Sequence, residues 1–333
     1  MTARALGLGL GIFAATWAAP GFADVTRMDR ITLTTADLSR TEAFYRDGLG
    51  FTTVSRQTLD DPAVQHLVGV PGATIESLVM RLGREEVEFQ RYSVNGRPYP
   101  ADSRSADHWF QHFAVVVSDI DRAYAHLQRH VTVVPISEGG PQTLPPQNGH
   151  VQAFKFRDPD GHPLELLRFP PGTGRPTWNA PGRDALFLGI DHSAIGVSDT
   201  PASQAFYESL GLKAAYRVVN RGPTQERLDG TFNAVVRISG FLPPAGEGPG
   251  VEFLDYRAPS TGRPAPVDAV ANDIAHVHLR FAVENLAQMS EALFERGARF
   301  LSPGVVEMDR DRHGYARAAM VRDPDGHALL LTE

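Results

Sequence analysis

No cysteine occurs among the 333 residues. Its absence excludes disulfides, thiolate metal ligands and cysteine nucleophiles together. A long Lys/Arg cluster is missing as well. With a net charge of −7 and a pI near 5.9, the composition argues against a nucleic-acid surface. Nor is there an apolar run long enough for a comfortable membrane span: the uncharged stretch from Ala5 to Ala19 falls short of the roughly 20 residues required. What remains is 42% hydrophobic and 21% charged, the profile of an ordinary globular protein of two domains.

The first 23 residues read as a secretory signal. Arg4 supplies the positive start, the Ala5–Ala19 run the apolar core, and Gly21-Phe22-Ala23 the small residues before Asp24. Cleavage is expected after Ala23, leaving a periplasmic or secreted protein without stable membrane insertion. An uncleaved anchor helix is the alternative.

The rest is organised by a repeated turn. Asp158-Pro159-Asp160-Gly161-His162 returns as Asp323-Pro324-Asp325-Gly326-His327, 165 residues later (323 minus 158). Asp-Pro-Asp-Gly is turn chemistry, because Pro fixes φ, Asp accepts backbone hydrogen bonds and Gly takes positive φ. The apolar residues after each copy read as a strand leaving a hairpin. The same offset brings Ala43-Phe44-Tyr45 close to Ala205-Phe206-Tyr207, and Gly96-Arg97-Pro98 to Gly262-Arg263-Pro264. Each half splits again. A strand running into a helix is expected at Ile31 to Asp37, Phe113 to Asp119, Gly189 to Asp199 and Val277 to Asn285. Ser39 with Glu42 has capping-box spacing, Gly50 is a helix stop, and Thr200-Pro201 reads as an N-cap followed by proline. Gly297 follows a helix over 286–296. Between Phe169 and Arg183 lie four prolines and three glycines, a linker signal. The expected plan is a signal over 1–23, a first domain over 24–168, a linker over 169–186 and a second domain over 187–333.

On these openings and hairpins the chain resembles the vicinal oxygen chelate superfamily, which contains glyoxalase I, extradiol dioxygenases and bleomycin-resistance proteins. The resemblance covers nearly all of the mature chain. It implies an α+β fold of four βαβββ modules, paired into two curved-sheet half-barrels. It does not imply one reaction, since the family spans isomerases, lyases, dioxygenases and simple binders.

In that family the metal ligands come from the first and last strand of each module. Matched position by position, module one offers Arg30 and Glu88, module two His112 and Glu165, module three His192 and Glu252, and module four His278 and Leu330. Arg30 and Leu330 depart from the pattern. Alternation supports the match: Phe113, Val115 and Val117 share one strand face, leaving His112 on the other, and Ser193, Ile195 and Val197 likewise oppose His192. Val87 and Phe89 oppose Glu88, as Leu164 and Leu166 oppose Glu165.

Which four residues meet depends on module pairing. If modules two and three share a cavity, as the likeness to glyoxalase I implies, His112, Glu165, His192 and Glu252 form a two-His, two-carboxylate metal set. Arg30, Glu88, His278 and Leu330 then fall together in the second cavity, with Arg30 placed to set its guanidinium against Glu88. If each half closes on itself, as in extradiol dioxygenases, His192, Glu252 and His278 form a set suited to Fe(II). His276 shares the face of His278 and is an alternative ligand. The first pairing is favoured because it places both departures in one cavity.

The cofactor expected is one divalent metal ion (Zn, Ni, Co, Mn or Fe), acting as a Lewis acid on a small substrate with two neighbouring oxygens. Glu165 or Glu252 would be both ligand and catalytic base, in glyoxalase-like isomerase or lyase chemistry. An Fe(II) ring-cleavage-type dioxygenase and a non-catalytic binding protein of bleomycin-resistance type are the alternatives. His150 and Tyr315 hold matching places before the two hairpins, read first as loop residues with hydrogen-bonded tips and second as cavity residues. The Gly/Pro-rich loops over 93–108, 137–150 and 258–273 either cover a cavity, with Arg97, Tyr99, Arg104, His108 and Trp109 meeting an anionic or aromatic substrate, or brace the two domains. The arginines carry no clear signature for glutathione, which glyoxalase I requires.

Overall fold

A computed structural model describes residues 25–180, 184–246 and 248–333. The expected signal, 1–23, lies outside the described residues. Module one comprises β1 (Val25–Thr34), α1 (Leu38–Leu49), β2 (Thr52–Leu59), α2 (Pro62–Val68), β3 (Ile75–Leu82) and β4 (Glu85–Tyr92). Module two follows with β5 (Phe110–Val117), α3 (Ile120–His130), β6 (Val134–Pro135), β7 (Gln142–Thr143), β8 (Gln152–Arg157) and β9 (Pro163–Arg168). Module three contains β10 (Phe187–Gly196), α4 (Thr200–Ser209), β11 (Lys213–Arg221), α5 (Pro223–Asp229), β12 (Val235–Leu242) and β13 (Gly250–Ala258). Module four closes the chain with β14 (Val277–Val283), α6 (Leu286–Glu295), β15 (Arg299–Phe300), β16 (Val306–Glu307), α7 (Arg310–His313), β17 (Arg317–Arg322) and β18 (Ala328–Thr332).

The helix starts correct two sequence expectations. Asp37, not Ser39, caps α1, its carboxylate accepting the backbone N–H groups of Ser39 and Arg40. Glu42 turns instead to Thr53 and Arg56. Asp199, not Thr200, caps α4, and Thr200 and Pro201 lie inside the first turn. Asp and Asn are stronger N-caps than Thr because their short side chains reach the first free N–H groups. Asp119 and Asn285 cap α3 and α6 in the same way, so all four module helices open on one device. Gly50 ends α1 in the left-handed conformation, as expected.

The strands form two mixed sheets. One runs β15-β17-β18-β14-β1-β4-β3-β2 and the other β11-β12-β13-β10-β5-β9-β8-β6. β1 is antiparallel to β14 and parallel to β4, while β10 is antiparallel to β5 and parallel to β13. Modules one and four therefore share a sheet, and modules two and three share the other. Each sheet draws one module from each half of the sequence. One large core, with Tyr45, Phe89, Phe113, Tyr207, Phe253 and Phe281 all buried, contains side chains from both sheets and from α1, α3, α4 and α6.

The repeated hairpin motif is an internal brace. Asp158 Oδ1 accepts the N–H groups of Asp160, Gly161 and His162 at 2.9 Å each, and its Oδ2 accepts the Tyr45 hydroxyl at 3.1 Å. His162 Nε2 lies 2.6 Å from the Ile274 carbonyl. In the second copy Asp323 accepts from Asp325, His327 and the Tyr207 hydroxyl. His327 Nε2 is 2.8 Å from the Gly196 carbonyl.

The Gly-Arg-Pro pair forms two reciprocal clasps between the halves. Arg97 holds Asp273 at 2.6 Å and Asp268 at 3.0 Å. Arg263 holds Asp107 at 2.7 Å and Asp102 at 2.6 Å. The chain can approach this closely only through glycine, because a Cβ on Gly262 would stand 2.0 Å from the Ala106 carbonyl oxygen.

Candidate metal centre

The sheet of modules two and three brings together the four residues expected from the first pairing. His112 lies on β5, Glu165 on β9, His192 on β10 and Glu252 on β13, and all four are buried. Both histidines occur where strand register slips. Between β10 and β5, Ile190 faces Val115 but Ser193 faces Phe113, and one residue further on Ala194 faces His112 while Ile195 faces Phe110. Such bulges re-aim side chains that strict alternation would send to opposite faces. The residue before each histidine is thereby brought round to its ring. Gln111 Oε1 is 2.9 Å from His112 Nδ1, and Asp191 Oδ2 is 3.1 Å from His192 Nδ1. Asp191 is itself held by Arg175 and Trp178.

With both Nδ1 atoms engaged, the Nε2 atoms face inward, and both are buried without a hydrogen-bond partner. Glu165 Oε2 stands 3.3 Å from His112 Nε2 and 3.9 Å from His192 Nε2, and Glu252 Oε2 stands 3.4 Å from His192 Nε2. Ligand atoms at about 2.1 Å from a common ion are separated by about 3.0–4.2 Å, depending on the angle between them. His112, His192 and Glu252 present ligand atoms all within 4.8 Å of one another. Orphaned imidazole nitrogens opposite carboxylates are a donor set that fits a divalent ion.

The electrostatics separate the members. Burial pushes the Glu165 carboxyl up, but His112, Lys155 and His192 outweigh it and hold it at about 2. Burial pulls His192 down, yet Glu252, Asp191 and Glu165 raise it to about 9. For His112 burial wins over Glu165, and its pKa is lowered. Glu252 Oε1 accepts the Tyr216 hydroxyl at 2.5 Å. Tyr216 reaches it from edge strand β11 by lying across Gly240, where a Cβ would meet the ring at 2.3 Å.

The site opens into a cavity of about 360 Å³. α5 contacts both β11 and β8, so it bridges the two edge regions of the sheet. It contributes Gln225 and Leu228 to the cavity lining. Its last residue, Asp229, takes the Lys155 ammonium at 2.8 Å, with both side chains almost fully buried. Asp229 also accepts from Gln225 at 2.7 Å and from Tyr256 at 2.9 Å.

The sheet of modules one and four has the same plan and a filled interior. Arg30 occupies the position of His192, and its guanidinium reaches Glu86 at 2.6 Å and Glu88 at 3.2 Å, as the sequence suggested. Leu330 takes the place of Glu165. The residue beside each of these on the neighbouring strand is Arg280 in one sheet and Ala114 in the other. Over α2, Val64, Leu67 and Val68 stand where α5 has Gln225, Leu228 and Asp229. They pack on Met308, Ala318, Met320 and Leu330 in a closed apolar cluster. His278 sits beside His276 at 3.2 Å in this sheet, with Thr32 as its cross-strand neighbour. The set His192, Glu252 and His278 is therefore not assembled, because sheet pairing sends His278 to the other half-barrel.

Other sequence candidates serve the frame. Arg97 is a clasp, Trp109 Nε1 donates to the Pro264 carbonyl at 3.0 Å, and the Arg263 guanidinium lies over its ring. Tyr99 packs against His162, and His108 pairs through its backbone with Pro264 and Arg263. Arg104 places its backbone N–H on Asp107. His150 is exposed with φ of 52°, and Tyr315 lies against Arg280 in the filled sheet. Asp191, Tyr216, Lys155, Gln225 and Asp229 escaped the sequence reading. Asp191 alone had a signal, its position next to His192.

Two half-barrels of repeated modules, one carrying a buried His/carboxylate centre, define the class. The sequence matches the Glyoxalase/Bleomycin resistance protein/Dioxygenase superfamily over residues 27–166 and again over 189–331, and the chain belongs to that family. Among solved structures, glyoxalase I from Zea mays superposes with a TM-score of 0.57 at 16% identity, covering 92% of each chain. A point mutant of the same protein gives 0.59 at 17%, covering 92% of this chain and 93% of that one. A candidate dioxygenase from Bacillus subtilis gives 0.53 at 16%, covering 93% of this chain and 86% of that one. At such identities the likeness is one of fold. No curated protein matches the sequence.

Proposed function

We propose that this chain is a divalent-metal enzyme acting on a small substrate with two neighbouring oxygens, by glyoxalase-like isomerase or lyase chemistry. The observation that carries the reading is the pair of buried, unpartnered Nε2 atoms on His112 and His192, facing the carboxylates of Glu165 and Glu252. These four residues would hold the ion, which supplies Lewis acidity towards the substrate oxygens. The chain's own groups divide the remaining work. Glu165, held at about 2, suits a permanent anionic ligand. Glu252, with one oxygen towards the histidines and one on the Tyr216 hydroxyl, suits the proton-moving role. Asp191 and Gln111 keep the imidazole rings turned inward. The uncharged run and small residues of positions 5–23 support export to the periplasm, and a mature N-terminus at Asp24 would be the corresponding sequencing result.

The test is elemental analysis of wild type, His112→Ala and His278→Ala after supplementation with divalent metals. Wild type and His278→Ala are expected to retain one ion per chain and His112→Ala to lose it. Loss in His278→Ala alone overturns the assignment. A wild type that holds no metal leaves a non-catalytic binder of bleomycin-resistance type, and oxygen consumption with a catechol would move the chemistry to dioxygenation.

A further inference from the structure

We infer that the substrate of this centre is uncharged outside its chelating oxygens and carries an apolar body, which excludes glutathione conjugates and other anionic adducts. This rests on the metal-enzyme reading and deepens it. Three observations carry it.

The first is a charge census of the cavity. Its charged lining residues are His112, Lys155, Glu165, Asp191, His192 and Glu252. A divalent ion would be balanced by the two ligand carboxylates. Asp191 is paired with Arg175 at 3.1 Å. Lys155 is paired with Asp229 at 2.8 Å, and no arginine occurs among the described lining residues. An anionic group on the substrate, away from the metal, would find no free cation, and burying an unpaired charge is costly.

The second is the wall. Leu144, Leu167, Phe169, Val218, Ile238 and Leu254 line the cavity beyond the ligands, and the polar members there, Gln147, Asn148, Asn220 and Gln225, are uncharged. The part of the substrate that does not chelate therefore meets a mainly apolar wall without charge. The third is the fate of the loop arginines. Arg97 and Arg263 are spent on Asp273, Asp268, Asp107 and Asp102, and neither lines the cavity.

Hydroxamates test this, since they chelate a metal through two neighbouring oxygens. Cobalt(II)-loaded protein is titrated with acetohydroxamic, benzohydroxamic and 4-carboxybenzohydroxamic acids, followed by the visible cobalt absorption and by calorimetry. Benzohydroxamate is expected to bind about tenfold or more tightly than acetohydroxamate, since it buries a ring on the wall. The 4-carboxy compound is expected to bind at least about tenfold more weakly than benzohydroxamate. Glutathione added alone should leave the cobalt spectrum and the benzohydroxamate affinity unchanged. Val218→Arg, on the edge strand, should recover binding of the 4-carboxy compound. Equal or tighter binding of the 4-carboxy compound by wild type, with the cobalt spectrum responding, overturns the substrate class alone. A protein that holds no cobalt, or a spectrum indifferent to all three hydroxamates, brings down the metal reading and the inference with it.

Discussion

The buried pair Lys155–Asp229 makes the comparison between the two half-barrels testable. In the filled sheet the matching positions are Met320 on β17 and Val68 on α2, so Lys155→Met and Asp229→Val each import one member of an apolar pair that already exists in this fold. Asp229→Val strands an ammonium whose side chain is 4% exposed and orphans the donors of Gln225 and Tyr256. Breaking a buried pair this way costs about 3–5 kcal/mol. Lys155→Met leaves Asp229 with two neutral donors and Glu165 without one of its cations, for about 2 kcal/mol. In the double variant no buried charge is stranded at this pair, and the two remaining donors face a cavity with room for water. Lys155→Met should therefore destabilise wild type but stabilise the Asp229→Val protein by about 2 kcal/mol, which is about 3 °C in Tm for a chain of this size. Thermal melts of the four metal-free proteins measure the cycle. If the two single losses simply add, the pair is not a coupled buried ion pair and the correspondence between the half-barrels is wrong.

Three further outcomes are expected. Burial, aided by Arg280 and Arg30 and opposed by Glu88, lowers His278 to about 4. The unfolded chain therefore takes up that proton first, and stability falls as pH drops from about 6.5 towards 4, by about 2–3 kcal/mol. His278→Gln should flatten this part of a urea-denaturation series at pH 7 and pH 4.5, and an unchanged slope would show that His278 is not the titrating group. Asp191→Asn should weaken metal binding by about 10- to 100-fold in a chelator competition while leaving the circular dichroism spectrum unchanged, because the carboxylate that orients His192 is lost; unaltered affinity would dismiss Asp191 as its support. Gly262→Ala should lower stability by about 2–3 kcal/mol, since the new methyl meets backbone rather than a flexible side chain. A neutral result there would mean that the Arg263 clasp relaxes freely.

Much of this was legible in the sequence because duplication allows the chain to be compared with itself. The Asp-Pro-Asp-Gly-His turns, the Gly-Arg-Pro pair and the histidines and glutamates at matched strand positions gave the modules, and the defects at Arg30 and Leu330 favoured the module pairing that the sheets adopt. The supporting residues were hidden for physical reasons. Strict alternation places Asp191 and His192 on opposite faces, and only the register slip in β10 reverses that. Asp229 and Gln225 come from a seven-residue helix that reaches from module three to β8 of module two, a contact with no local signature. The hairpin histidines were prominent in sequence yet serve as braces, because Asp158 and Asp323 already organise the turns around them.

Cross-pairing of the halves also decides when the protein can assemble. When residues up to 168 have been synthesised, β1 and β5 still lack their antiparallel neighbours: β1 waits for β14, and β5 waits for β10. The contact of Val25 with Val283 closes a loop of most of the chain, the kind of distant pairing that slows folding. Until β14 and β10 arrive, a half-made protein exposes two long unpaired strand edges capable of pairing with other chains. Truncation after the first half should therefore yield aggregate rather than a smaller working unit, and the nascent chain needs its edges shielded until its last module has emerged.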